Sequence, residues 1–226
     1  MKAYFYVLLL LLIAMPVTAT EHVVHLGKFS IGDMTGWKEQ SIGLIKSKTA
    51  YAITKVDDRL ALAATAKKSA SGQIFKLNLD PREYPILSWS WKIDHTIRKG
   101  NEKIKEGDDY AARIYVLFPR GFFTRTRAIC YVWGNKLPKG MHVTSPFTAN
   151  VVTVAVDSGD ETAGRWNSHQ RNVYEDYKTF FGEEAPKMGA VALMTDTDNT
   201  AEFATGYYGD ITLHRVQRPD QKELKP

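Results

Sequence analysis

Along most of this sequence, apolar and polar residues alternate in a succession of short segments that are separated by turn residues. Examples are KFSI, TAYAITKV, RLALAATA, GQIFKLNL, ILSWSWKI, DDYAARIYVLF, TRAICYVWG, ANVVTVAV, GAVALM and ATGYYGDITLHRV. A period of two is the pattern of a strand with one buried face. Many short strands between turns are typical of a sandwich or barrel. Asp57 and Asp58, between two of the segments, predict a hairpin turn.

One segment has helical spacing instead. After Ser168, the sequence HQRNVYEDYKTFFG places apolar residues about one turn apart and ends at Gly182. Ser is a good helix N-cap, and Gly is the usual residue after a helix end. We therefore predict an all-β fold, an antiparallel jelly-roll β-sandwich with one short helix over about residues 168–181.

The N-terminus has the pattern of a secretory signal peptide. A basic start is followed by the apolar run Val7 to Met15 and by the small residues Val17 and Ala19. The run is too short to span a bilayer, and the spacing predicts cleavage after Ala19. An uncleaved N-terminal anchor is the alternative. We expect a periplasmic or secreted protein without a transmembrane segment after cleavage.

The chain of 226 residues fits one domain after the signal peptide. We predict a signal peptide over 1–19, a single β-sandwich domain over 20–216 and a flexible charged tail over 217–226. Cys130 is the one cysteine, so an internal disulfide is excluded and a buried inert thiol is expected. The net charge of +5 is scattered along the sequence, which argues against a nucleic-acid surface.

Alternation assigns faces to the predicted strands. Leu87, Trp89, Trp91 and Ile93 share one side of their strand, which predicts that the two tryptophans belong to the core rather than to a sugar-stacking platform. Near the C-terminus, the same rule groups Tyr207 with the apolar residues that follow it.

Acidic residues cluster in MTDTDNT. Asp196, Asp198 and Asn199 fit a turn, a polar ligand site or a hard-cation site, and all three interpretations stay open. Asp109 is expected to share a face with Arg113. That pairing is either structural or, if Asp196 and Asp198 approach it, a source of acid and base groups for glycoside cleavage.

Six segments together resemble an uncharacterised family of exported bacterial proteins, a domain of unknown function, over nearly the whole mature chain. They are FSIGDMTGWKEQSIGL, LSWSWKID, EGDDYAARIYVLF, YVWG, RNVYEDYKTFFGE and MTDTDNTAEFATGYYGDI. The resemblance implies one domain and export, and brings no activity with it.

More distantly, the pattern from Phe29 to Trp37 and the Asp in YGDITL resemble galactose-binding-like jelly rolls and carbohydrate-binding modules. In such modules this Asp commonly ligates a structural Ca²⁺. The resemblance therefore implies a possible calcium site at Asp210, with groups near Gly32 and Asp33.

No serine-hydrolase, Walker, Rossmann or zinc-protease signature occurs in the sequence, so we lean away from an enzyme and assign no catalytic residue. We expect a non-catalytic binding module for a carbohydrate or another polyhydroxylated ligand. A carboxylate-dependent hydrolase or lyase is one alternative, and an envelope assembly protein with an exposed apolar patch is another. The predicted ligand-binding residues are Asp109, Arg113, Tyr115, Trp133, Asp196, Asp198 and Asn199.

Overall fold

The structure is a computed structural model in which residues 22–42 and 47–215 are described. The predicted signal peptide (1–19) and the predicted charged tail (217–226) lie outside these residues. The described residues form thirteen strands and one α-helix. These are β1 Val23–Gly27, β2 Trp37–Ser41, β3 Ala50–Val56, β4 Arg59–Lys67, β5 Ala70–Leu79, β6 Ile86–Ile93, β7 Arg113–Arg120, β8 Phe122–Gly134, β9 His142–Thr144, β10 Val151–Ser158, β11 Asn167–Asn172, α1 Val173–Phe181, β12 Met188–Asp196 and β13 Phe203–His214.

The strands form two sheets packed face to face, as the sequence predicts for a jelly-roll sandwich. The first sheet has the order β11-β6-β13-β4-β3, and β1 also pairs with β13. The second sheet has the order β2-β5-β12-β7-β8-β10-β9. The pairing is antiparallel apart from β8 with β10, which run parallel. The predicted hairpin between β3 and β4 is confirmed, since Val56 pairs with Arg59 across Asp57 and Asp58.

Buried aromatic side chains fill the space between the sheets. Trp89 and Trp91 of β6 are 4% and 0% exposed, and Tyr131 and Trp133 of β8 are fully buried. The ring centroids of Trp89 and Tyr131 are 5.4 Å apart, and those of Trp91 and Trp133 are 6.3 Å apart. Aromatic rings at these distances contribute packing energy beyond the area that they bury. The prediction that the two tryptophans of β6 form core is confirmed.

The helix is shorter than the sequence suggests. The prediction of a start near Ser168 is wrong, because Asn167–Asn172 pair with β6 as an edge strand. The helix begins after Asn172, whose side chain accepts a hydrogen bond of 3.1 Å from the backbone N–H of Glu175. Its end at Gly182, with a φ of 67°, agrees with the prediction. In the two described ranges, no helix has the length and hydropathy needed to cross a membrane.

Candidate functional site

The outer face of the first sheet carries an open cavity of about 450 Å³, which we call the polar groove. Its floor consists of two rows of side chains that run across neighbouring strands. Gln170, Ser88 and Thr212 are register partners in one row, and Ser168 pairs with Ser90 in the next. Residues directly opposite each other in antiparallel strands project from the same face. Four hydroxyl groups and one amide therefore share the floor of the groove.

A β-bulge in β13 places a carboxylate beside this floor. Gly209 and Asp210 together lie opposite one residue of β6, Ser90, which is the two-to-one pairing of a bulge. A Cβ atom at Gly209 would lie 2.2 Å from the Oγ of Ser90, so glycine leaves the Ser90 hydroxyl its place in the floor. The carboxylate of Asp210 accepts hydrogen bonds from the backbone N–H of Ser30 at 2.8 Å and from its hydroxyl at 2.6 Å. These bonds hold Asp210 at the end of the groove.

The same bulge decides which tyrosine of β13 is buried. Strict alternation groups Tyr207 with the core residues Ile211 and Leu213. In the structure Tyr208 is fully buried, whereas Tyr207 is half-buried on the outer face. That prediction is wrong because the extra residue of the bulge shifts the alternation between the two halves of the strand.

An aromatic and charged rim lies next to the floor. The guanidinium carbon of Arg59, which lines the groove, is 3.5 Å from the ring centroid of Trp166. The indole Nε1 of Trp166 donates a hydrogen bond of 3.0 Å to Oδ2 of Asp57, and Lys92 Nζ lies 3.1 Å from the same oxygen. Lys92 also lies 5.9 Å from the ring centroid of Tyr207. Cation–π contacts and shared hydrogen bonds therefore hold two aromatic rings at this rim.

One hydroxyl of the floor is unsatisfied. The Oγ of Ser88 is buried and has no hydrogen-bond partner among the described residues. A buried polar group without a partner costs about 1–3 kcal/mol. Chemically, the groove combines donors, acceptors and aromatic rings, the set that recognises a ligand with many hydroxyl groups.

The predicted ligand residues Asp109, Asp196 and Asp198 do come together, but elsewhere. Asp109 precedes β7 and Asp196 ends β12, and oxygens of the three carboxylates lie within 4.8 Å of one another. Asp109 and Asp196 are only 0% and 1% exposed. We call these three residues the acidic cluster. Its two innermost members are enclosed by protein rather than open to a ligand.

Asp109 holds the turn that follows β12. Its Oδ1 accepts hydrogen bonds from the backbone N–H of Asn199 at 3.2 Å and from the side-chain amide of Asn199 at 3.1 Å. Its Oδ2 accepts the backbone N–H of Thr200 at 2.6 Å. These bonds tie the turn of MTDTDNT to the segment before β7, and the three interpretations of that motif stay open.

Arg113 pairs with acids other than the predicted Asp109. Its Nη2 donates to Oδ2 of Asp196 at 2.5 Å, and its Nη1 donates to Oδ2 of Asp108 at 3.4 Å. Burial raises the pKa of Asp196 well above its ordinary value, the nearby Asp109 adds to this, and Arg113 opposes it. Arg113 is itself 4% exposed, so this ion pair belongs to the interior.

Trp133 does not share a face with Arg113 and Tyr115. Arg113 lies opposite Val132 of β8 in the register, so the neighbouring Trp133 projects to the other side, into the core. The polar surface that we expected from Arg113, Tyr115 and Trp133 is therefore not formed. The prediction fails because it joined residues from opposite faces of one sheet.

Cys130 lies on the same face as Tyr115, its register partner. The thiol is buried, and burial raises its pKa to about 12. A thiol that stays protonated at neutral pH is a poor nucleophile, in agreement with the expected inert cysteine.

Asp210 is separate from the acidic cluster, and its carboxylate bonds to Ser30 as described above. Asp33, one of the groups expected near a calcium site at Asp210, accepts a hydrogen bond of 2.8 Å from the backbone N–H of Thr35. The calcium site at Asp210 stays a prediction.

The polar groove was not predicted from the sequence. Alternation in ILSWSWKI already places Ser88, Ser90 and Lys92 on one face, and this was the available signal. The partners of these residues depend on the pairing of β6 with β11 and β13. Because Ser168 and Gln170 were assigned to a helix, two of the five polar groups of the floor were not placed on the sheet.

A family model described as "Protein of unknown function (DUF3047)" matches residues 35–212. No curated protein matches the chain. Among solved structures, the xyloglucanase domain of NopAA, a type three effector from Sinorhizobium fredii, in complex with cellobiose, has 10% identity and a TM-score of 0.46. The match covers 80% of this chain and 93% of that one.

Two further structures have similar scores. Endoglucanase Cel12A from Rhodothermus marinus has 11% identity and a TM-score of 0.44, covering 86% of this chain and 99% of that one. The CBM22-1 xylan-binding domain of Xyn10C from Paenibacillus barcinonensis has 12% identity and a TM-score of 0.43, covering 88% and 100%.

Proposed function

This chain belongs to the family described as Protein of unknown function (DUF3047), and from its own geometry we propose that it is a non-catalytic module for a glycan or a similar polyhydroxylated ligand. The observation that carries the proposal is the polar groove. Three strands present two registered rows of hydroxyl and amide groups, and Asp210 lies at their end. Trp166 and Tyr207 stand at the adjoining rim.

A sugar fits this chemistry for two reasons. Its hydroxyls both donate and accept, so they can pair with Ser, Thr and Gln side chains and with the carboxylate of Asp210. Its C–H faces pack on aromatic rings, which Trp166 and Tyr207 supply.

The position of the carboxylates favours binding over hydrolysis. Glycosidases of the common type face two carboxyl groups towards one substrate. Of the carboxylates near this groove, Asp210 accepts two hydrogen bonds from Ser30, and Asp57 at the rim is paired with Lys92 and Trp166. Asp109 and Asp196 are buried in the acidic cluster. We propose further that the protein acts in the periplasm or after secretion, since residues 1–19 have the pattern of a signal peptide.

The test is calorimetric titration with a panel of neutral and acidic oligosaccharides built from hexoses, pentoses and uronic acids. Trp166→Ala and Ser88→Ala should each weaken binding of the preferred oligosaccharide by about threefold to tenfold. Thr54→Val is the matched control, because it removes a hydroxyl from the exposed face of the same sheet outside the groove. It should bind as the wild type does.

Two results would overturn the proposal. One is the absence of binding by any member of the panel at millimolar concentration. The other is binding that Trp166→Ala and Ser88→Ala leave unchanged. Release of reducing sugar from a bound oligosaccharide would support the hydrolase alternative instead of a non-catalytic binding module.

A further inference from the structure

The outer face of the second sheet carries a cavity of a different character. It has a volume of about 380 Å³, and we call it the apolar groove. Its floor crosses four strands, and the main side chains are those of Ile74, Tyr115, Leu117, Ala128 and Ala192. Ligand pockets for small molecules have volumes of this order and mostly apolar linings.

The floor is built by register. Ile74 lies opposite Ala192, and Ala192 lies opposite Tyr115, so their side chains share the outer face. Two flanking segments form its walls, Ile42 beyond the end of β2 on one side and Thr148, Asn150 and Val151 at the start of β10 on the other. Ile42 is 38% exposed, so apolar surface continues to the mouth. An exposed apolar surface of this kind marks a binding site more often than chance.

Two lysines lie at one end of the groove. Lys38 is the register partner of Ile74 on β2, and Lys76 is two residues from Ile74 on β5, so both project from the outer face. Both are exposed, and neither forms an ion pair with another described residue. Among the described residues that line the groove none is acidic. The groove therefore presents an apolar channel with positive charge at one end.

We propose that the apolar groove binds a fatty acid, with the alkyl chain along Ile74, Ala192 and Leu117 and the carboxylate at Lys38 and Lys76. Each methylene transferred from water to this lining adds to the affinity through the hydrophobic effect. A sugar gains little here, because the floor offers few hydrogen-bonding groups. This site is on the opposite sheet from the polar groove and does not depend on the proposed glycan binding.

The probe is dodecanoate, titrated calorimetrically below its micelle concentration, with dodecanol as the uncharged comparison. Wild-type protein should bind one dodecanoate per chain, saturably. Ala192→Phe fills the floor and should abolish binding. Ala63→Phe is the matched control, since Ala63 is a half-buried alanine on the outer face of the first sheet. It should bind dodecanoate as the wild type does.

The charge at the mouth is tested separately. The double variant Lys38→Gln, Lys76→Gln should bind dodecanoate about threefold to tenfold more weakly, because exposed ion pairs are individually weak. Its affinity for dodecanol should not change. This comparison uses surface substitutions and stays decisive if Ala192→Phe fails to fold, as judged by circular dichroism.

Three outcomes would overturn the proposal. They are no saturable binding by the wild type, equal binding by folded Ala192→Phe, and equal weakening of dodecanol and dodecanoate in the lysine variant. Dimerisation of the wild type that Ala192→Phe abolishes, without dodecanoate binding, would assign the groove to a second copy of the chain instead.

Discussion

The indole Nε1 of Trp91 in the first sheet donates a hydrogen bond of 2.8 Å to Oδ2 of Asp157 in the second sheet. Nε2 of His169 lies 2.6 Å from the same oxygen, and Nζ of Lys139 lies 3.2 Å from the other. Asp157 is 2% exposed. A buried carboxylate with this many partners links the two sheets across the core, where a charge without partners would be unfavourable.

Asp157→Asn should destabilise the protein by about 1.5–3 kcal/mol at pH 7, because it removes hydrogen bonds to a charged acceptor. Burial alone would raise the pKa of Asp157, but the bonds from His169 and Trp91 outweigh burial and lower it to about 2. A carboxyl whose pKa is lower in the folded state stabilises the protein above its unfolded pKa. That contribution disappears as the pH falls from about 5 to about 2.

Urea unfolding at a series of pH values measures both effects. Wild-type stability should fall more steeply over that interval than the stability of Asp157→Asn. Asp58→Asn, in the exposed turn after β3, is the control and should behave as the wild type does. If the free energy of unfolding falls equally with pH in the wild type and in Asp157→Asn, protonation of Asp157 is not the cause of the acid destabilisation.

Asp109→Ala should destabilise the protein by about 2–4 kcal/mol, because it leaves the amides of Asn199 and Thr200 without their acceptor. Asp109→Asn keeps one acceptor oxygen and should lose less. Thermal unfolding measures both variants. Oligosaccharide affinity of the folded variants should equal that of the wild type. If affinity for the oligosaccharide is lost while the melting temperature stays unchanged, Asp109 belongs to the ligand site, as the sequence predicted.

The strands and the core could be predicted because they follow from local alternation. The burial of Trp89 and Trp91 could be predicted from the period of two and from the preference of large aromatic residues for the interior. The errors arose where tertiary pairing overrides a local pattern. Ser168 is a good N-cap by type, yet pairing with β6 makes it part of an edge strand.

The site was harder to predict than the fold for the same reason. Asp109 and Asp196 attract notice as acids at the ends of predicted strands, but both are buried. Ser88 and Ser90 do not attract notice, because serine is common on the solvent-exposed face of a strand. They become a candidate site only beside Gln170 and Thr212, which belong to strands distant in sequence.

Gly206→Ala should destabilise the protein by about 1–3 kcal/mol, because an added Cβ would lie 2.2 Å from the backbone oxygen of Ala111. Backbone cannot move aside as a side chain can. Gly72→Ala is the matched control, since its Cβ would lie 3.2 Å from the nearest atom, the backbone oxygen of Leu193. Both changes reduce unfolded-chain entropy equally, so the difference in melting temperature reports the clash. Equal melting temperatures would contradict the close approach at Gly206.

Gly209→Ala tests whether the bulge shapes the polar groove. Its Cβ would lie 2.2 Å from the Oγ of Ser90, so the hydroxyl must rotate away from its place in the floor. Stability should change little, because a serine side chain can turn, but affinity for the preferred oligosaccharide should fall about threefold to tenfold. In a Ser90→Ala background the hydroxyl is already absent, and Gly209→Ala should then cost no further affinity. This double-mutant cycle isolates the pair. If the affinity losses of the two single variants add in full in the double variant, Gly209 affects binding independently of Ser90.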